Sequence, residues 1–141
     1  GLTMKRIILA AVITLALCGQ AGAVERAIIC AGLKGTGLDW KDGKLEKYDD
    51  GYSGVVLVLN RKENSVIITW KGNLPVIDEA PIINFNDDEG WFSFQSSQKG
   101  VTRLFTIFHL SNRLVLAMTE HQTLLAEPTV PQSRTFFASC E

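Results

Sequence analysis

The chain has 141 residues, with 14 Lys and Arg against 15 Asp and Glu, a formal net charge of −1 and 46% hydrophobic residues. That length allows one domain with a modest core. The even charge balance and the lack of a basic cluster argue against nucleic-acid binding and against attraction to anionic lipid.

Met4-Lys5-Arg6 is a short basic start, residues 7–18 are an unbroken apolar run, and Ala21-Gly22-Ala23 has the small-x-small pattern of a cleavage site. Cationic, apolar and small-residue zones in that order read as a cleavable signal peptide, and the apolar run is too short to span a bilayer comfortably. Residues 1–23 are therefore read as non-native leader residues (Gly1-Leu2-Thr3) plus a signal peptide. Residues 24–141 are read as a single β domain that starts at Val24 and is exported, to the periplasm or beyond the cell. Cys18 closes the apolar run and offers a minor alternative, a lipid anchor, with Leu17 standing where such a signal has a small residue. No transmembrane span is expected.

After cleavage two cysteines remain, Cys30 and Cys140. In an oxidising compartment they read most simply as one disulfide tying the two ends of the mature chain. A redox pair would want C-x-x-C, and a metal site would have only His109 and His121 to complete it. No metal and no cofactor is expected.

Strand signals then follow one another. Residues 27–33 are a first strand, and Asp42-Gly43 between strand-like flanks is the cue for a type I′ turn. Gly51-Tyr52-Ser53-Gly54 has the outline of a nucleophile elbow, but Val55 stands where G-x-S-x-G needs glycine. It reads instead as a Gly-flanked turn entering strand 55–59. Residues 55–59 and 65–70 form a hairpin across Arg61-Lys62-Glu63-Asn64. A second hairpin joins 81–85 to 91–95 through the acidic turn 86–90, whose Asp87-Asp88-Glu89 lacks the spacing of a calcium loop. Residues 101–110 are the longest strand, 113–119 return from a turn at Ser111-Asn112, and 133–140 close the chain. Segment 120–132 has two readings: a short helix opened by a Thr119/Gln122 capping box and ended before Pro128, or a loop with Leu124 and Leu125 tucked in. The sum is an all-β fold, a small antiparallel meander barrel or half-barrel stapled by a disulfide, with a β-sandwich as the alternative.

Alternation assigns the faces. Phe92 and Phe94, Ile83 and Phe85, and Leu114, Leu116 and Met118 are expected inside. Three strands are apolar on both faces: 55–59, 66–70 and 101–110. Such strands need a cover on the second side. Segment 120–132 or the N-terminal region would supply it; a homodimer or partner surface, or an apolar ligand in the barrel mouth, are the other readings. His109 reads as a half-buried histidine beside Phe105 and Ile107, and His121 as a loop residue.

Trp40 in a charged, turn-rich stretch, Trp91 on the polar side of its strand, and Tyr52 are the candidate partner- or ligand-binding residues, because exposed aromatic rings anchor partners and sugar rings. No catalytic residue is assigned. The layout of a signal peptide, a run of strands and cysteines near both mature ends is similar to small exported bacterial β-barrel proteins, among them the periplasmic inhibitors of C-type lysozyme. The likeness is one of architecture. That family's inhibitory loop motif does not align on this chain, and no residue role is carried over. The leading expectation is a non-enzymatic binding or inhibitor-type module for a protein or a small apolar or glycan ligand. An envelope-structural or self-associating protein is the alternative, and a small hydrolase using His109 or His121 as base is the third reading.

Overall fold

The computed structural model describes residues 26–72, 76–98, 100–124 and 130–141. The expected signal peptide, the start at Val24 and Cys18 lie outside the described residues. Eight strands follow one another: β1 Ile28–Lys41, β2 Lys44–Arg61, β3 Ser65–Lys71, β4 Val76–Asn86, β5 Trp91–Gln98, β6 Val101–Leu110, β7 Arg113–Leu124 and β8 Val130–Cys140. Each pairs antiparallel with the next, and β8 returns to pair with β1, so the sheet closes into a barrel. Closure removes every free sheet edge, which neither a half-barrel nor a sandwich does. Among the described residues no helix is long and apolar enough to cross a membrane.

The barrel has two ends. At one, Cys30 of β1 bonds Cys140 of β8, to which it is directly opposed in register. The β2–β3, β4–β5 and β6–β7 turns share this disulfide end. The opposite, hairpin end carries the β1–β2 turn, where Asp42 (φ 52°) and Gly43 (φ 72°) both adopt the left-handed conformation that a type I′ turn requires.

Two glycines re-aim the strands. Gly32 (φ 68°) and Gly54 (φ 74°) sit where the β1–β2 register shifts, between the Ala31–Val56 and Leu33–Tyr52 pairs. A bulge inserts residues and changes which parity faces the core. Leu57 and Leu59 are fully buried on one side of it, and Tyr52 packs against the core on the other. The stretch 51–54 is therefore a bulge inside one long strand, not the expected turn into a new one.

Across β5–β8 the core is stacked in rungs of cross-strand neighbours. Nearest the disulfide end is Phe92–Ile107–Leu116–Ala138, and above it lies Phe94–Phe105–Met118–Phe136; all eight side chains are buried. Phe94 and Phe105 stack with centroids 4.9 Å apart. The next rung is polar: Ser96–Arg103–Glu120–Arg134.

Several expectations are corrected. Segment 120–124 continues β7 as strand, pairing with β6 and β8, so Thr119 and Gln122 cap no helix; Leu125 and Pro128 lie outside the described residues. Cross-strand hydrogen bonding on both sides outweighs a local capping preference. In β4 the register shifts between Ile82 and Asn84. Ile82 packs against the core, while Ile83 and Phe85 are 54% and 58% exposed, not inside as expected. His109 is exposed rather than half-buried, because β6 has reached the barrel end there.

The second side of the apolar strands is left open by residues 120–124, which are part of the wall. Outward positions over β5–β8 form rungs of their own: Trp91–Phe108–Val115–Ser139, Ser93–Thr106–Ala117–Phe137 and Gln95–Leu104–Thr119–Thr135. Not one of these residues is charged. Phe137 is 57% exposed, Leu104 40% and Phe108 38%.

Candidate functional site

The polar rung is the most unusual part of the interior. Glu120 is fully buried. It accepts hydrogen bonds from Arg103 Nε (2.5 Å) and Arg134 Nε (2.9 Å), and Arg134 Nη2 also bonds it. Arg134 Nη1 donates to Asp50 Oδ2 at 2.8 Å, and Arg134 Nη2 to the Tyr52 hydroxyl at 2.8 Å. The Tyr52 hydroxyl in turn donates to Glu120 Oε2 at 3.1 Å. Two guanidinium groups and two carboxylates thus neutralise one another where an unpaired charge would be very costly. Arg103 lies over the Trp70 ring at 4.8 Å, and Tyr52 packs on Phe136 with centroids 5.0 Å apart. Burial and then the Glu120 charge push the Tyr52 hydroxyl above its ordinary value. Burial works against the charge on Arg134, but its bonds to Asp50 and Glu120 outweigh that and hold it above the usual arginine range.

One rung closer to the hairpin end, Gln98, Val101, Gln122 and Gln132 face each other across β5–β8. All four line a cleft of about 620 Å³. Leu38, Trp40 and Leu45 of the β1–β2 hairpin form one apolar side, and Thr102, His121 and Ser133 complete the polar side. The Gln122 amide donates to Gln132 Oε1 at 2.5 Å. Among the described residues that leaves the Gln122 carbonyl and the Gln132 amide hydrogens without a partner. The cleft is thus floored by neutral amides, backed by a self-neutralised ion cluster and walled on one side by an indole.

Near the floor, Asp39 pairs in register with Gln132, and its buried Oδ1 has no hydrogen-bond partner among the described residues. The Tyr48 hydroxyl is pushed up to about 12 by burial and next by its neighbour Asp39. The ring of Tyr48 lies over Gly37, where an added Cβ would meet Cζ at 2.3 Å.

No protein-family model and no curated protein matches this chain. The functional reading therefore rests on the geometry.

The three aromatic candidates do not form one site. Trp40 is 54% exposed in the hairpin-end cleft. Trp91 stands at the disulfide end, its indole N–H donating to Glu89 Oε2 at 2.9 Å. Tyr52 is interior, held in the Glu120 network. His121 lines the Trp40 cleft, and His109 lines the opposite end. His121 has Thr102 and Ser133 as cross-strand neighbours, yet no hydrogen bond among the described residues joins it to either hydroxyl. Among the described residues no three His, Cys, Asp or Glu side chains gather as a metal site.

Arg103, Glu120, Arg134 and the three glutamines were not singled out by the sequence. A signal was there: Arg103 shares the parity of Phe105 and Ile107, Glu120 that of Leu116 and Met118, and Arg134 that of Phe136. A charged residue continuing an inward apolar row requires a partner.

Proposed function

We propose that this chain is a non-enzymatic binding protein of an exported compartment, and that the cleft beside Trp40 is its ligand site. The observation that carries the reading is the pairing of an exposed indole with a floor of neutral amides. An indole offers an apolar platform, and glutamine side chains offer both donors and acceptors without charge. A small ligand with one apolar face and several hydroxyl groups, such as a sugar ring, matches that combination. Concave sites with an apolar lining and a few fixed polar groups are the usual form of small-molecule sites. The exported location is supported by the Cys30–Cys140 bond, since such bridges persist in oxidising surroundings.

Titration of tryptophan fluorescence with simple mono- and disaccharides tests this. A saturable change that is lost in Trp40→Ala and weakened in Gln132→Ala is expected. A panel with no saturable change in the wild-type protein would remove the sugar-ring reading.

A second reading, self-association, is favoured by the uncharged outer wall of β5–β8. Exposed Phe137, Leu104 and Phe108 give that face apolar contact area, and a neutral face can pack on a copy of itself without like-charge repulsion. Sedimentation over a range of concentrations, with Phe137→Lys as the variant, distinguishes this reading from a monomeric ligand binder.

A further inference from the structure

The disulfide end has a mouth of its own, at the opposite pole from the Trp40 cleft. It is a cleft of about 380 Å³ whose floor is Ile28, Phe92, Ile107 and Leu114. Arg26, Arg61 and His109 stand on its rim with one carboxylate, Asp87. Arg61 is fixed there by its guanidinium, which lies 4.4 Å above the Phe92 ring.

Three arginines of the barrel make a useful comparison. The guanidinium groups of Arg103 and Arg134 are engaged at short distance by Glu120, and that of Arg134 by Asp50 as well. Arg61 has a single long contact, from Nη2 to Asp87 Oδ1 at 3.5 Å, and the Asp87 side chain is 70% exposed. Among the described residues nothing else accepts from Arg61. Its side chain is nonetheless only 29% exposed. A partly desolvated, planar donor fork, held in place by an aromatic ring and poorly satisfied, is the arrangement that receives a carboxylate through two parallel hydrogen bonds. The apolar floor beneath it would take the body that carries such a head group.

We propose that the disulfide-end mouth binds a monomeric carboxylate with an apolar body, and that Arg61 receives the carboxylate in place of Asp87. The apolar body lies on Phe92, Ile107 and Leu114, and Arg26 adds long-range attraction from the rim. This site is independent of the Trp40 cleft, and either can stand without the other.

The test uses the full chain, sodium octanoate as probe, and Trp91 on the cleft wall as reporter. Octanoate is titrated by tryptophan fluorescence, with 1-octanol and acetate as controls and Trp91→Phe to assign the signal. Saturable octanoate binding is expected, at least about tenfold tighter than octanol, which is the usual scale of a charge-assisted hydrogen bond. Acetate should bind no more tightly than octanol. Arg61→Gln should bring octanoate down to the octanol level. Asp87→Asn, a change on an exposed turn, should tighten octanoate several-fold by removing the competing carboxylate, and it serves even if the Arg61 variant folds poorly. No saturable octanoate binding would overturn the proposal. So would octanol binding as tightly as octanoate, a signal unchanged in Trp91→Phe, or an Asp87→Asn affinity equal to wild type.

Discussion

Glu120 lies directly across the β7–β8 ladder from Arg134, and it is the one carboxylate among the described residues with no solvent exposure. Its two arginine partners come from either side, Arg103 on β6 and Arg134 on β8. The three side chains therefore join three neighbouring strands, in addition to the backbone ladder.

Removing that carboxylate is expected to be expensive. Glu120→Ala leaves two guanidinium groups, only 19% and 14% exposed, without their shared counter-charge. Breaking a buried pair by deleting one partner costs about 3–5 kcal/mol. Urea unfolding of Glu120→Ala should show an unfolding free energy lower by that amount. A shift below about 1 kcal/mol, the range of a surface pair, would mean that water enters the barrel and screens the cluster.

The disulfide is expected to act on the unfolded chain. Cys30 and Cys140 are 110 residues apart in sequence. Closing so long a loop stabilises by about 5 kcal/mol in the chain-entropy model. A Cys30→Ser, Cys140→Ser double variant should unfold at clearly lower urea and temperature. Thermal unfolding in the presence of a reductant should match that variant, and equal stabilities with and without the bridge would show that the denatured chain remains compact.

Two glycines on β1 should respond differently to one added methyl group. At Gly35 a Cβ would stand 1.7 Å from the Thr135 carbonyl oxygen, which is backbone of β8 at the barrel seam. At Gly37 the three nearest atoms it would meet all belong to the Tyr48 side chain. Backbone in a closed ladder cannot step aside, whereas a tyrosine ring can rotate away. Gly35→Ala should therefore cost more than the ~1–3 kcal/mol typical of overpacking, and Gly37→Ala should fall within that range. Chemical denaturation of the two variants checks the order.

Tyr48 and Tyr52 make stability fall at high pH. Both hydroxyls titrate higher in the folded protein than in the unfolded chain, Tyr48 at about 12. Between the ordinary tyrosine value, about 10, and the folded value, the unfolded state has already lost a proton that the folded state keeps. Stability is thus level with respect to these groups below about pH 10 and declines as pH rises toward 12. Tyr48→Phe should flatten part of that decline, as read by denaturation midpoints measured from pH 9 to 12. An unchanged slope would assign the loss to other groups.

Much of this architecture was legible in the residues alone. Alternating apolar rows in 91–95 and 113–119 place their buried faces correctly, because a regular strand has a side-chain period of two. The Asp42-Gly43 turn was readable from its dipeptide, since few residue pairs accept left-handed geometry at both positions. Cys30 and Cys140 paired as expected. Alternation failed where the backbone departs from the period: the bulge at Gly32 and Gly54 changes the inward parity, and the shift between Ile82 and Asn84 puts Ile82 rather than Ile83 against the core.

By itself, then, the sequence determined the strand order, the all-β class and the staple, because these depend on local periodicity, turn chemistry and cysteine count. Closure of the barrel, the buried Glu120 cluster, the amide floor beside Trp40 and the unspent Arg61 at the far mouth were decided only by tertiary structure. Each joins residues from several strands whose alignment depends on register across the whole sheet. Hydrogen bonding between distant segments sets that register, and no window along the chain contains it.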